Sequence, residues 1–306
     1  MNANAIRVGT RGSPLALVQT RNFIHLLGHG EEAIIATTGD AVQDRPLADI
    51  GGKGLFAKEI HEALLDNRID CAVHSLKDLE TELPPGIVLA CVLTREDPRD
   101  VLIPGETCGT PHPSDPLAAL PAGALVGTSS VRRQAQLLHA RPDLRVASIR
   151  GNVQTRLRKL RDGECQASML ALAGLNRLGM VVPGAVVLDP AAMLPAAAQG
   201  IVGITARAGD IALLDLLASI ENRASRIAGT AERALLGELD GSCRTPIGAY
   251  AHLAHDGSLA LTGLVARADG SFLLRRSTSG AAADAARLGR ELGASLRADA
   301  PADLFA

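Results

Sequence analysis

The chain has no tryptophan, one tyrosine and four phenylalanines among its 306 residues. Proteins that hold single-stranded nucleic acid do so on aromatic platforms interleaved with basic residues, so a nucleic-acid groove lacks its main ingredient here. No segment approaches the roughly 20 consecutive apolar residues that a membrane helix needs, because Gly, Arg, Asp or Pro interrupts every one. The first eleven residues lead into a strand-like segment with no charged stretch ahead of an apolar one, so export is not expected and a cytoplasmic location is. The five cysteines, Cys71, Cys91, Cys108, Cys165 and Cys243, show no paired spacing of the kind zinc or a redox dithiol requires. Three of them sit in or beside apolar, strand-like segments, where a thiol acts as a small buried hydrophobe. Only Cys108 and Cys243 fall in loop sequence.

Against these absences stands one concentration. Between residues 132 and 161 there are eight arginines and one lysine against a single aspartate, in a chain of formal charge -2. Arginine stays charged and offers a planar fork of donors, which suits it to carboxylate or phosphate. A solvated helix face usually mixes both signs, so the run points to a polyanionic partner.

The apolar fraction of 47 % and the length allow two or three domains. In the first half, short β-rich runs alternate with amphipathic stretches, the pattern of a parallel sheet covered by helices. Strands are expected over 6–9, 33–37, 71–73 and 87–92. Helices are expected over 13–27 and 54–67, the first capped by Ser13 with Pro14 at its first position. The Val8 to Ser13 segment is echoed by Val126 to Ser130, each a strand, a tight turn and a helix start, which suggests two similar lobes. The chain crosses between them near 90–116 and 189–200, and a return to the first lobe after Gly200 would make a hinge beneath a cleft. The last third predicts a helix over 225–239 and strands over 247–253, 259–266 and 272–278, joined by Asp256-Gly257 and Asp269-Gly270 turns.

Three constellations carry chemistry. Arg132 and Arg133 fall in the first turn of a helix behind Thr128, Ser129 and Ser130, and Arg150 and Arg156 flank the next such turn at Gly151-Asn152. Two helix N-termini with guanidinium groups beside them suit a ligand bearing several carboxylates. Farther along, Arg158, Lys159 and Arg161 are expected in solvent. The second constellation, His74-Ser75-Leu76-Lys77-Asp78, follows a buried strand and places a carboxylate beside a cation; an ordinary Lys-Asp surface pair is the competing account. The third, Gly241 to Pro246, holds Cys243 beside Arg244, which favours the thiolate. Cys243 is thus the best candidate nucleophile or attachment point, and with no histidine next to it in sequence a cysteine-protease reading lacks its base.

Several ordered stretches of this chain resemble the porphobilinogen deaminase family: Thr10 to Leu17, Gly51 to Phe56, Val73 to Asp78, Arg95 to Asp100, Gly127 to Arg133, Arg150 to Val153, Thr230 to Ala234 and Cys243 to Gly248. The resemblance implies two α/β lobes like those of periplasmic solute-binding proteins, joined by a hinge, and a small C-terminal α+β domain with a three-stranded antiparallel sheet and helices. The expected bounds are 1–95 with 199–218 for the first lobe, 96–198 for the second and 219–306 for the third domain. It further implies a transferase of tetrapyrrole (haem) biosynthesis that condenses four porphobilinogen molecules, with loss of ammonia, onto a covalent dipyrromethane, and then releases hydroxymethylbilane by hydrolysis.

By the same resemblance Cys243 carries the dipyrromethane in thioether linkage, and Asp78 holds pyrrole N–H groups and stabilises the cation formed when ammonia leaves. Arg11, Ser13, Ser75, Lys77, Thr128, Ser130, Arg132, Arg133, Arg150 and Arg156 hold cofactor and substrate. No metal is implied, a monomer is, and residues 39–54 are a candidate lid. Three positions depart from the family pattern: Glu80 stands where proline is usual, Ala198 where glycine is, and Ser242 where a second glycine precedes the cysteine. The chief alternative is a binding protein for an acidic solute, which would need an export signal and has no use for Cys243. A nucleic-acid-binding regulator, the other alternative, predicts affinity that falls steeply with salt.

Overall fold

The computed structural model describes residues 5–41, 54, 56–112, 114–240 and 245–305. The loop that carries Cys243 and Ser242, and all of the 39–54 lid candidate except Gly39 to Ala41 and Gly54, lie outside those residues.

Two five-stranded sheets form the first two layers of structure. The first contains β1 (Arg7–Thr10), β2 (Glu31–Ile34), β3 (Cys71–Ser75), β4 (Ile87–Val92) and β10 (Val202–Arg207), in the order β2-β1-β3-β10-β4. The second contains β5 (Asp100–Pro104), β6 (Leu125–Gly127), β7 (Arg145–Ala147), β8 (Ala167–Ala171) and β9 (Val186–Val187), in the order β7-β6-β8-β5-β9. Neither sheet is purely parallel. The β1-β2, β1-β3, β6-β7 and β6-β8 pairs are parallel, whereas β10 runs antiparallel to β3 and β4, and β5 antiparallel to β8 and β9. The antiparallel strands are those that follow each crossing of the chain from one sheet to the other, so each enters its new sheet from the opposite end.

Helix α1 (Pro14–Leu27) starts where the Ser-Pro signal places it. The Ser13 side chain accepts a hydrogen bond from the Ala16 amide at 3.3 Å, Pro14 occupies the first position, and Gly28 closes the helix in the left-handed conformation. The second expected helix is shorter, α2 (Lys58–Leu65), and begins without a side-chain cap. A single helical turn, Thr38–Ala41, lies ahead of it. In the second lobe α3 (Val131–Ala140) is capped by Ser130, α4 (Val153–Arg161) by Asn152, and α5 (Leu172–Arg177) follows β8 directly. Near Gly174 of α5, the Leu15 side chain of α1 brings the two lobes into contact.

After β10, α6 (Ile211–Ala218) covers the first sheet, and α7 (Arg223–Glu238) opens the last domain. There β11 (Ile247–Leu253), β12 (Ser258–Ala266) and β13 (Leu273–Ala281) form an antiparallel meander, backed by α7 and α8 (Ala285–Asp299). The core beneath them includes Leu235, Leu261, Leu292 and Leu296. Gly289 and Gly293 let α8 approach α7 closely: a Cβ on Gly289 would lie 2.3 Å from the Ala231 carbonyl oxygen. A mid-helix glycine costs about 1 kcal/mol relative to alanine, and this contact is what it allows.

Strands β4 and β11 keep the pattern-based bounds, and the others shift by one to three residues at an end, most at β2, which starts at Glu31 and ends at Ile34. There the β1 partner sets the register, pairing Arg7 with Glu31 and Thr10 with Ile34, and hydrophobicity within β2 alone does not reveal it. Cys71, Cys91 and Cys165 are buried, and burial pushes their thiols up, Cys91 to about 12. They are inert apolar fillers rather than nucleophiles.

Candidate active site

Parallel pairing of β1 with β3 aligns Gly9 with Ala72, so the turn after β1, with Arg11 and Ser13, lies beside the end of β3. That strand runs through His74 and Ser75 into one 3-10 turn, Leu76–Asp78. Leu76 is buried and anchors the turn, while Lys77 and Asp78 stay partly exposed. Ser75 Oγ is held by the Gln19 side chain of α1, whose Nε2 donates to it at 3.0 Å. Arg11 lies 4.0 Å over the Phe56 ring, a cation-π contact.

From the other side come the arginines of the second lobe. Ser130 caps α3 by accepting from the Arg133 amide, and the Thr128 hydroxyl accepts from the Ser130 amide at 3.2 Å. Arg132 and Arg133 are 4 % and 5 % exposed, so they are not free surface cations. Both close on Asp100, which is 0 % exposed at the start of β5. Arg133 donates through Nη2 at 2.8 Å and Nε at 3.2 Å to Asp100 Oδ1, and through Nη1 to the Met169 carbonyl. Arg132 Nη1 lies 2.7 Å from Asp100 Oδ2, an ion-pair contact rather than an aligned hydrogen bond, and also reaches the Leu194 carbonyl. Burial alone would raise the Asp100 carboxyl, but the two guanidinium groups outweigh it and hold the group well below the usual carboxylate range. One carboxylate thus lets two arginines be buried with a surplus positive charge.

That surplus reaches Lys77 and Arg156. Burial pulls the Lys77 ammonium down to about 8; Asp78 and Asp100 oppose the shift, and Arg133 and Arg132 reinforce it. Burial likewise lowers Arg156 to about 10, with Arg133 and Arg150 adding to the effect and Asp78 opposing it. Arg156 is oriented by its own loop, Nε donating to the Gly151 carbonyl at 2.9 Å. So Lys77 and Asp78 of the first lobe and Arg132, Arg133, Arg150 and Arg156 of the second share one electrostatic neighbourhood. Among the described residues none hydrogen-bonds the Asp78 carboxylate. Arg158 and Arg161 are exposed, and Lys159 pairs loosely with Glu164 at 3.6 Å.

Residues outside the sequence-level assignment hold this cluster in place. Gln199, 1 % exposed in the second crossover, accepts from Lys77 Nζ at 3.2 Å and donates to Asp100 Oδ1 at 2.8 Å. Arg95, in the first crossover, makes a two-point ion pair with buried Glu232 of α7 at 2.6 and 3.2 Å and donates through Nε to the Gln199 carbonyl. Glu232 also accepts from the amides of Ala198 and Ala251, so one carboxylate ties both crossovers to the C-terminal domain. Arg233, next on α7, donates to the carbonyls of Leu79, Glu80 and Thr81 and fixes the chain leaving Asp78. The signal that could have found Asp100 and Glu232 was an acid embedded in an otherwise apolar strand or helix face.

Two family departures are visible. Ala198 adopts φ 60 with its methyl fully buried; the left-handed region costs a non-glycine residue about 1–2 kcal/mol, and the buried methyl offsets about 0.8 kcal/mol of that. The Glu80 carboxylate packs against Gly54, where a Cβ would lie 1.9 Å from its Oε1.

Two family models match: "Porphobilinogen deaminase, dipyromethane cofactor binding domain" over residues 6–215 and "Porphobilinogen deaminase, C-terminal domain" over residues 227–298. The chain belongs to the porphobilinogen deaminase family. It is 49 % identical to the porphobilinogen deaminase of Paracoccus denitrificans over 99 % of this chain and 96 % of that one. It is 50 % identical to the chloroplastic porphobilinogen deaminase of Oryza sativa subsp. japonica over 90 % of this chain and 78 % of that one. Among solved structures it is similar to a Salmonella typhimurium periplasmic binding protein with high arginine specificity, at 13 % identity and TM-score 0.39, over 73 % of this chain and 94 % of that one. Family membership makes the chain a transferase with a dipyrromethane cofactor, and the binding-protein alternative is not favoured. Among the described residues no helix is long and apolar enough to cross a membrane, and none of the His, Cys, Asp and Glu side chains cluster as a metal site would need.

Proposed function

We propose that the cleft between the lobes binds a dipyrromethane attached to Cys243 and elongates it with four porphobilinogen units, using Asp78 as the reacting carboxylate. The observation that carries this reading is the crowding of Lys77, Arg132, Arg133 and Arg156 around the two carboxylates Asp78 and Asp100. A cluster with more cations than anions, three of them held below their ordinary basicity, lacks a counter-anion among the described residues. Buried Arg132 Nε, with no hydrogen-bond partner among the described residues, marks the same deficit. The acetates and propionates of a dipyrromethane fit it, since a charged pair in a cleft is worth more than the about 0–1 kcal/mol of an exposed one.

When bound, the dipyrromethane supplies the electron-rich pyrrole end that each porphobilinogen joins as ammonia departs, until hydrolysis frees the linear tetrapyrrole. Asp78, with no hydrogen-bond donor of its own among the described residues, keeps its oxygens for pyrrole N–H groups and for the positive charge that develops there. Preorganised charge of this kind often dominates catalysis. Lys77, Arg11, Arg150 and Arg156 hold substrate carboxylates from both lobes, with Ser13, Ser75, Thr128 and Ser130 supplying hydroxyls beside helix starts. Arg132 and Arg133, engaged with Asp100, act mainly through their field and through Arg132 Nε. The protein works as a cytoplasmic monomer with no nucleic-acid partner.

Intact mass with peptide mapping tests the attachment, and porphobilinogen consumption tests the chemistry. Cys243→Ser should fold without retaining cofactor. Asp78→Asn should keep the cofactor mass and the melting temperature yet lose nearly all turnover. Fully active protein with an unmodified Cys243 peptide would refute the attachment, and an active Asp78→Asn variant would refute the role of the carboxylate.

A further inference from the structure

We propose that Gln199 is a positioning residue that sets the charge and direction of the Lys77 ammonium, so that the anion-binding cation of the first lobe and the Asp100 arginine pair of the second are held as one unit. The inference rests on the reading of Lys77 as a carboxylate-binding group.

The amide orientation follows from chemistry. Gln199 Nε2 donates to the Pro98 carbonyl at 2.7 Å and to Asp100 Oδ1 at 2.8 Å. Both are pure acceptors, so the two N–H groups are committed and Oε1 has to face Lys77 Nζ, 3.2 Å away. A flipped amide would set oxygen against carboxylate and carbonyl. The backbone is equally fixed: the Gln199 carbonyl accepts from Arg95 Nε at 2.9 Å, and the preceding Ala198 amide is bound to Glu232. At the next residue, Gly200, a Cβ would lie 2.3 Å from the Glu96 carbonyl oxygen, and φ is +88, so the crossover is packed too tightly to re-seat Gln199.

The charged groups facing Lys77 are Asp78 from its own turn, Asp100 from β5, and Arg133 and Arg132 from α3. Among the described residues Gln199 Oε1 is its one hydrogen-bond partner. Against that background the amide oxygen favours the charged amine without adding charge. Its removal therefore favours the neutral amine, and replacement by a carboxylate favours the ammonium.

The chain has four lysines, Lys53, Lys58, Lys77 and Lys159, so the test is clean. Full-length protein is pulse-acetylated with acetic anhydride across pH, and each lysine peptide is quantified by mass spectrometry. For Lys77 the wild-type midpoint is expected at about 8 or above, since a cofactor carboxylate beside it favours the ammonium. Gln199→Met should lower it by about half a unit, the size of one modest hydrogen bond, and Gln199→Glu should raise it, with Lys58 and Lys159 unmoved. If Gln199→Met does not fold, Gln199→Asn withdraws the oxygen by one methylene and should move the midpoint the same way. In turnover, the KM for porphobilinogen in the Met variant should rise about threefold above pH 8, following the same half unit, with a smaller change in kcat. Midpoints that stay in place, or that move in the same direction in the Met and Glu variants, overturn the proposal. Opposite shifts in a protein that consumes no porphobilinogen would support the coupling and overturn the functional reading instead.

Discussion

Asp100→Asn isolates the charge on which the buried arginine pair depends. The substitution keeps the shape of the side chain and removes the negative charge from a site that is 0 % exposed and touched by Arg132 at 2.7 Å and Arg133 at 2.8 Å. Removing one partner from a buried ion pair costs about 3–5 kcal/mol, because the remaining charge stays buried without compensation. Here two guanidinium groups would remain, repelling each other and Lys77, so the upper half of that range is expected. Native domains have about 5–15 kcal/mol in all, and such a loss consumes much of it. With a urea m-value of about 3 kcal/mol/M, the midpoint of denaturation should fall by about 1.3 to 1.7 M. The assay is equilibrium unfolding in urea followed by far-UV circular dichroism, with Arg133→Met and the double variant completing a cycle. The double variant should be less destabilised than the sum of the two, since removing Arg133 takes away one of the charges that Asp100 compensates. A midpoint within about 0.3 M of wild type, or strict additivity, would refute the argument that Asp100 is what permits the arginines to be buried.

Two further outcomes follow from the geometry. Glu232→Gln should lower stability by about 3–5 kcal/mol, because Glu232 is fully buried, paired with Arg95 and bound by the Ala198 and Ala251 amides; it should also raise proteolytic cleavage between the lobes and the C-terminal domain, and an unchanged digestion pattern would count against the three-way tie. His74, whose Nε2 lies 2.9 Å from Thr205 Oγ1, is held near 3 by burial, reinforced by His61 and Arg11, so it stays neutral while the unfolded chain takes up a proton below about 6.5; native stability then falls with decreasing pH from 6.5 toward 3 by about 1.4 kcal/mol per unit, and His74→Gln, which keeps a hydrogen-bonding group for Thr205, should remove that part of the acid limb in pH-dependent melting.

Much of the local structure was legible before any tertiary contact was known. The Ser13-Pro14 start, the Ser130 cap and the turns around Asp256 and Asp269 rest on side chains meeting backbone within a few residues, and such interactions are written in order along the chain. Helix α2 and strand β2 were less so, because a helix without a cap and a strand whose register is set by its partner leave little local trace. The candidate site divides in the same way. Arg132, Arg133, Arg150 and Arg156 stood out as a run of one sign, and Lys77-Asp78 as a charged pair after a buried strand.

What the run could not reveal is that Arg132 and Arg133 are already engaged by a carboxylate outside it. Asp100 lies 33 positions before Arg133, Gln199 lies 122 positions after Lys77, and Glu232 lies 137 positions after Arg95, and at such separations the chain order carries no pairing information. The amino-acid sequence by itself determined the capped start of α1 at Ser13, much of the strand content, the family and the positive character of the cleft. Only the tertiary structure decided which cations are compensated from within and which remain for a ligand. The physical reason is that the net charge available to a bound anion is a difference between groups brought together by folding.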